Sequence, residues 1–179
     1  ITAFEVVANE TRALVLDTRD PAVFAKGFIP NSINIGIDGS FAMWVGELIL
    51  DIKQEILIVA ETEDLVEESI IRLSRVGYDN TIGYLDGGFE AWEKAGKEKD
   101  VVNRITAEQL EKHLKKETLH IIDIRKVSEF ESEHLLGAEN IPLNVLNDHL
   151  AEFPKDKFFI LHCAGGYRSM IAASMLKQR

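Results

Sequence analysis

Short runs of apolar residues alternate with amphipathic stretches along the chain. In the first half, the apolar runs predict strands at residues 13–17, 32–35, 56–60 and 81–85. The amphipathic stretches between them predict helices at residues 2–8, 20–25, 63–76 and 88–95. Nearly continuous apolar strands that are separated by helices indicate a parallel sheet with helices on both faces. The pattern therefore predicts an α/β fold.

The chain contains two copies of one unit. Residues 15–19 (VLDTR) return as residues 121–125 (IIDIR), and residues 56–59 (ILIV) return as residues 159–162 (FILH). A repeat of this kind indicates two structural units built on one plan. We expect a first domain at residues 1–98 and a second at residues 99–179. The segment between Gly96 and Asn103 is polar and charged, and it is the predicted linker.

The second copy is shorter than the first. In the first copy, the helix ending near Val76 is followed by a further strand and a Gly-Gly helix start, residues 77–92. The second copy stops at Arg179, where this continuation is expected to begin. We interpret the second domain as incomplete: either the chain is truncated, or another segment completes the sheet. Because the chain starts at Ile1, it is interpreted as a fragment of a longer protein.

Cys163 is the only cysteine, and it lies between a predicted buried strand and a glycine loop. Such a loop can direct several backbone N–H groups at one point, and a helix N-terminus adds partial positive charge. This environment stabilises a thiolate. Arg168 completes a Cys-x4-Arg spacing and is the second predicted catalytic residue. The predicted cradle around the sulfur consists of Ala164, Gly165, Gly166, Tyr167 and Ser169.

The first copy lacks these features. Without gaps, Ala60 aligns with Cys163 and Leu65 with Arg168. Three carboxylates, those of Glu61, Glu63 and Asp64, stand where an anion is expected in the second copy. The first domain is therefore predicted to be catalytically inactive.

One pair of charged residues recurs in both copies. Asp123 and Arg125 correspond to Asp17 and Arg19, so we predict a structural ion pair or loop anchor rather than a catalytic pair. His162 precedes Cys163 on a strand and is expected to point to the opposite face. The spacing of the histidines does not fit a zinc site, and we expect neither a metal nor a cofactor in this chain.

The charge is unevenly distributed. Residues 1–98 carry 18 acidic and 8 basic side chains, whereas residues 99–179 carry 12 of each. This balance argues against a nucleic-acid partner, which requires a basic face. No apolar run reaches the roughly 18 residues of a membrane span, and we expect no membrane partner. A lone cysteine cannot form an internal disulfide, which favours a reducing compartment, the cytoplasm.

Taken together, the motifs resemble tandem rhodaneses, the family of thiosulfate or persulfide sulfurtransferases. The stretches that carry the resemblance are residues 29–35 (IPNSINI), 86–92 (DGGFEAW), 123–125 (DIR), 129–130 (EF) and 134–142 (HLLGAENIP). The resemblance implies that Cys163 takes a sulfane sulfur from thiosulfate or a small persulfide. A covalent Cys163 persulfide then passes it to a thiol or cyanide.

The first half is also similar to the rhodanese region that follows a metallo-β-lactamase-like domain in bacterial persulfide dioxygenase fusions. That similarity implies an upstream domain of this kind as a partner in a longer protein. Two alternatives stay open. A regulatory or docking module, or a persulfide relay, is consistent with an inactive first copy. A Cys-dependent phosphatase is less favoured, because that reaction on this fold uses Cys-x5-Arg rather than Cys-x4-Arg.

Overall fold

The computed structural model describes residues 1–116 and 118–178. The strands are β1 (Leu14–Asp17), β2 (Ile33–Asn34), β3 (Ile56–Val59), β4 (Thr81–Tyr84), β5 (Ile121–Asp123), β6 (Glu139–Asn140) and β7 (Ile160–His162). The α-helices are α1 (Thr2–Glu10), α2 (Pro21–Phe24), α3 (Phe41–Leu48), α4 (Glu63–Ser74), α5 (Gly88–Lys94), α6 (Ala107–Leu114), α7 (Val127–Ser132), α8 (Leu146–His149) and α9 (Tyr167–Gln178). Two 3-10 turns, Leu143–Val145 and Leu150–Glu152, flank α8. The predicted second domain includes Glu117 and Arg179, which lie outside the described residues.

Two parallel sheets form the framework. The first has the strand order β2-β1-β3-β4 and the second has the order β6-β5-β7. The predicted α/β architecture with two similar units is confirmed. The four predicted strands of the first unit agree with the observed ones to within one residue at either end.

Helix α3 lies in a stretch for which the pattern predicts no element. Its buried residues are Phe41, Trp44, Val45 and Leu48, the spacing of one helix face. Apolar Ala42 and Met43 and the glycine Gly46 lie on the remaining surface and blur the contrast between the two faces. The helix is therefore specified by its packing against the first sheet more than by its own amphipathic pattern.

The main hydrophobic cluster is continuous from one unit to the other. It contains Leu16 and Ile58 of the first sheet and Ile122 of the second, each fully buried. Helix α9 belongs to this cluster through Ile171, and Met170 on the same helix packs with Phe24 and Phe28 of the first unit. The two units thus share one core, with α9 between them.

The second sheet is narrower than the first within the described residues. In the first unit, β4 pairs with β3, and Phe89 and Trp92 of α5 cover Leu57. Among residues 99–116 and 118–178, no strand pairs with the outer edge of β7. A groove of about 1490 Å³ lies along this side of the second unit. Its apolar lining includes Leu110, Leu135, Phe158 and Ile160.

No helix in the described part of the chain is both long and apolar enough to cross a membrane.

Candidate active site

Cys163 lies at the carboxyl end of β7, where the chain enters the loop that precedes α9. Because β5 and β7 are parallel, the loop that follows Asp123 reaches the same edge of the sheet. The Ile124 N–H donates to the His162 carbonyl at 3.0 Å and continues the ladder to the point where Cys163 begins. Cys163 is half-buried and packs against the main cluster. The fold therefore places the one thiol at the edge of a sheet with access to the surface.

Three polar groups converge on the sulfur. The Gly166 N–H lies 3.1 Å from Cys163 Sγ, and the Ser169 N–H lies 3.4 Å from it. Ser169 Oγ is 3.3 Å from the same atom, within hydrogen-bonding distance of the thiol. Amide donors at a helix N-terminus stabilise negative charge, so the geometry favours a thiolate at this position.

The cradle uses fewer residues than the sequence predicts. Gly166 and Ser169 bond to the sulfur, whereas the amides of Ala164, Gly165 and Tyr167 make no hydrogen bond with it within the described residues. Gly166 adopts a positive φ of 89°, a conformation that strains any residue with a Cβ. At Gly165, a Cβ would meet no atom within 4 Å. The loop therefore requires glycine at the second position and tolerates a side chain at the first.

Arg168 is held by a carboxylate and does not face the sulfur as a free cation. Its Nη1 and Nη2 donate to the two oxygens of Glu129, on α7, at 2.6 and 2.9 Å. The hydrogen bonds from Arg168 lower the pKa of Glu129 to about 2. The same pair raises the pKa of Arg168, to which the charge of Cys163 also contributes. Arg168 thus fastens the start of α9 to α7 beside the active loop.

The sequence analysis did not assign a role to Glu129, although it lies in a family-like stretch. Its pairing with Arg168 joins residues 39 positions apart. The available signal was its place in residues 129–130 (EF), one of the stretches that carry the family resemblance.

Asp123 and Arg125 form a bidentate ion pair at the end of β5. Arg125 Nε lies 3.0 Å from both carboxylate oxygens, and Nη2 lies 2.7 Å from Oδ2. Burial raises the pKa of Asp123, but the hydrogen bonds from Arg125 outweigh burial, and the net pKa is lowered. Arg125 Nη2 also donates to the Glu133 carbonyl at 2.7 Å, and Asn140 donates to the carbonyls of Asp123 and Arg125. The pair therefore shapes the loop and does not contact the sulfur.

The first unit repeats this clamp. Arg19 is bidentate to Asp17 and donates to the Gly27 carbonyl at 3.0 Å, and Asn34 donates to the carbonyls of Asp17 and Arg19. The presence of the same contacts in a unit without a cysteine supports a structural role for both pairs.

His162 lines the groove on the second unit. Its Nδ1 lies 3.4 Å from Asp123 Oδ2, is buried, and has no hydrogen-bond partner among the described residues. It makes no hydrogen bond with Cys163, so the geometry does not make it a base for the thiol. Within the described residues, no cluster of three or more His, Cys, Asp or Glu side chains has the arrangement of a metal site.

The corresponding loop of the first unit has no space or charge suited to an anion. Ala60 is buried, and a Cβ at Gly88 would lie 2.9 Å from its carbonyl oxygen. Thr62 Oγ1 accepts from the Leu65 N–H and caps α4. Glu63 and Asp64 place their carboxylates in the first turn of that helix, where they satisfy its positive end.

Comparison with known proteins identifies the fold family. The family model of the rhodanese-like domain matches residues 5–95 and 106–179. A protein named Sulfurtransferase from Allochromatium vinosum is 30% identical over 80 residues, which are 44% of this chain and 75% of that protein. The uncharacterised protein YqhL of Bacillus subtilis is 37% identical over 78 residues, 44% of this chain. The match spans only 60% of the length of YqhL.

Among solved structures, the solution structure of the rhodanese-like domain of the Anabaena protein Alr3790 superposes with a TM-score of 0.50 at 18% identity. The match covers 59% of this chain and 81% of that domain, and it supports the fold alone. The family match extends over both repeats, including the clamps at the ends of β1 and β5 and the loop that holds Cys163. The chain therefore belongs to the rhodanese-like domain family and carries the domain twice.

Proposed function

We propose that the protein is a sulfurtransferase that carries a sulfane sulfur on Cys163. The observation that carries the proposal is the convergence of the Gly166 and Ser169 N–H groups on one sulfur atom. This arrangement lowers the energy of the thiolate that attacks the donor.

The reaction consists of two displacements at sulfur. The Cys163 thiolate attacks the outer sulfur of the donor, the donor S–S bond breaks, and its electron pair leaves with sulfite or with a thiolate. The product is a Cys163 persulfide whose terminal sulfur is negatively charged. A thiolate or cyanide then attacks that terminal sulfur, and Cys163 leaves as the thiolate. No external oxidant or reductant is consumed, and the kinetics are ping-pong.

The donors that we propose are thiosulfate and low-molecular-weight persulfides. A phosphate monoester fits the loop less well, because Arg168 is engaged by Glu129 and, in the described part of the chain, two amides point at the sulfur. We place the reaction in the cytoplasm, with no cofactor beyond the covalent persulfide. An upstream metallo-β-lactamase-like domain in a longer protein is the proposed macromolecular partner.

Intact-mass spectrometry tests the proposal directly. The purified protein is incubated with thiosulfate or glutathione persulfide, and the expected result is a mass increase of one sulfur atom that is absent in Cys163→Ser. Addition of cyanide or a thiol is expected to discharge the adduct and release thiocyanate or a persulfide. A discharged adduct without repeated turnover supports a relay instead. Hydrolysis of an aryl phosphate without any adduct contradicts the proposal in favour of a phosphatase.

A further inference from the structure

We propose that the catalytically inactive first unit positions the active loop of the second, through a socket at residues 36–39 that receives the Tyr167 side chain. The inference rests on the proposed function only for the expected change in kcat for sulfur transfer. Its structural basis is independent of which sulfur compound reacts.

The socket fits the tyrosine in shape and in hydrogen bonding. The Tyr167 hydroxyl crosses from the second unit and donates to the Gly36 carbonyl at 2.7 Å. Its ring lies directly over Gly39, where a Cβ would come within 2.3 Å of two ring carbons. A Cβ at Gly36 would come within 3.2 Å of the same ring. Neither glycine has a positive φ, so backbone conformation does not require glycine at either position. The ring excludes a side chain at Gly39, whereas at Gly36 the Arg19 carbonyl and Pro21 crowd a Cβ as closely as the ring does.

The socket is itself held by the first unit. The Ile37 N–H donates to the Thr18 carbonyl at 2.9 Å, next to the Asp17–Arg19 clamp. Arg72 of α4 donates from Nη1 to the Ile37 carbonyl at 2.7 Å and pairs with Glu68 on the same helix. The carbonyl that receives Tyr167 therefore belongs to a segment fixed on two sides by elements of the first sheet and its helix.

Tyr167 lies between the two residues that bond to the sulfur. It is the first residue of α9, directly after Gly166 and two residues before Ser169. Farther along α9, Ser174 Oγ accepts from the Asn34 N–H of β2 at 2.9 Å. The helix is thus attached to the first unit at its start and in its middle, and a shift of residue 167 would displace both amides from Cys163. Burial raises the pKa of the Tyr167 hydroxyl, so it stays a neutral donor at physiological pH.

Two variants test the socket, and a third serves as a matched control. Tyr167→Phe removes the hydrogen bond and keeps the ring. Gly39→Ala places a methyl group in the space that the Tyr167 ring occupies. Gly46→Ala is the control, because a Cβ there meets nothing within 4 Å and the residue lies in the same unit. The rate of Cys163 alkylation by iodoacetamide is measured against pH, together with kcat and KM for sulfur transfer and the melting temperature.

We expect Tyr167→Phe to slow Cys163 alkylation at neutral pH and to lower kcat about fivefold, the effect of one neutral hydrogen bond, with KM for the donor nearly unchanged. Gly39→Ala is expected to give a larger effect in the same direction, and Gly46→Ala to behave as the wild type.

The proposal is wrong if both socket variants keep the wild-type alkylation profile and kcat, even where the melting temperature falls. If the wild-type protein transfers no sulfur but the alkylation profiles still shift, the positioning role stands and the sulfurtransferase proposal fails.

Discussion

Glu129 neutralises the charge of Arg168, the arginine in the first turn of α9. Its carboxylate binds both terminal nitrogens of Arg168, and the pair is partly exposed, at 36% and 19% for the two side chains. Solvent screening at this exposure limits the contribution of the pair to stability to about 1 kcal/mol. The pair nevertheless determines where Arg168 points, and therefore which face of the loop stays free for a donor.

Glu129→Gln is expected to lower the free energy of unfolding by about 0.5–1 kcal/mol at pH 7. The pKa of Glu129 is lowered from 4.5 to about 2 in the folded state, so its contribution is complete above pH 4.5 and is lost as the pH falls toward 2. The difference in unfolding free energy between wild type and variant, measured by urea unfolding, should therefore decrease as the pH falls from 4.5 toward 2.

Glu131→Gln, on the same helix and without an ion pair among the described residues, is the control for the Glu129 variant. A difference between the Glu129 variant and wild type that is constant from pH 7 to pH 3 contradicts the assignment to this pair.

At single positions, the sequence predicts the nucleophile but not its surroundings. Cys163, Gly166 and the counterpart Ala60 follow from one loop and one repeat, because both are local patterns. Glu129 and the Tyr167 socket depend on contacts between residues 39 and 131 positions apart. No local pattern encodes contacts of that range. Spacing alone predicts that Arg168 orients the loop or supplies positive charge to an anionic donor. It cannot show that a carboxylate binds the guanidinium.

The Asp-x-Arg clamp is the element that the two units share most closely. In each unit, the arginine donates hydrogen bonds to the carboxylate two residues earlier and to a carbonyl eight residues later. An asparagine from the neighbouring strand binds the two flanking carbonyls. The repeat itself predicted a structural role for the ion pair. The role of the asparagine was not predicted, because the sequence does not show which groups a polar residue in a short strand contacts.

The two clamps should differ in their contribution to stability because they differ in burial. The Asp17 and Arg19 side chains are 0% and 4% exposed, whereas Arg125 is 15% exposed. Arg19→Ala leaves a buried carboxylate without a partner and is expected to cost about 3–5 kcal/mol of unfolding free energy. The Asp123 carboxylate is also buried, but Arg125→Ala should cost less, because removal of the partly exposed Arg125 side chain lets water reach that carboxylate. Urea unfolding of both variants measures the difference, and equal losses contradict the explanation from burial.

A cysteine alone should not make the first unit active. In the double variant Ala60→Cys/Cys163→Ser, the thiol occupies the equivalent strand end but faces a loop without glycines, and Glu63 and Asp64 occupy the first turn of α4. We expect no sulfur adduct in the intact mass after incubation with thiosulfate. An adduct in this variant comparable to that of the wild type would show that the loop of the second unit is dispensable.

The strands are the most predictable elements, because continuous apolar runs such as residues 56–59 have one interpretation in an alternating chain. Helix α3 was missed, since its apolar residues surround the helix more than they form a stripe. The buried residues of helix α9 are also distributed around the helix, because α9 packs against both units. Its buried residues include Met170, Ile171, Ala172 and Met175, which pack in two directions. A helix without a single apolar face carries no sequence signal that it lies between two units.

At the scale of the whole molecule, the shared core predicts a single unfolding transition. Both tryptophans, Trp44 and Trp92, lie in the first unit, whereas Cys163 lies in the second. Tryptophan fluorescence and Cys163 alkylation therefore report on different halves of the chain. Because the main cluster includes residues of both sheets, the two urea curves are expected to coincide. Two separate midpoints would indicate that the units unfold independently and would contradict the importance of α9.

The position of α9 between the two sheets bears on how such a duplicated gene diverges. After one repeat loses its nucleophile, it is ordinarily free to accumulate substitutions or to be deleted. Here the repeat without a cysteine packs against α9, the helix that follows Cys163, so selection on the loop of one half constrains the sequence of the other. Deleterious alleles should therefore map to the non-reacting repeat as well, and a genetic screen for loss of activity would recover them there.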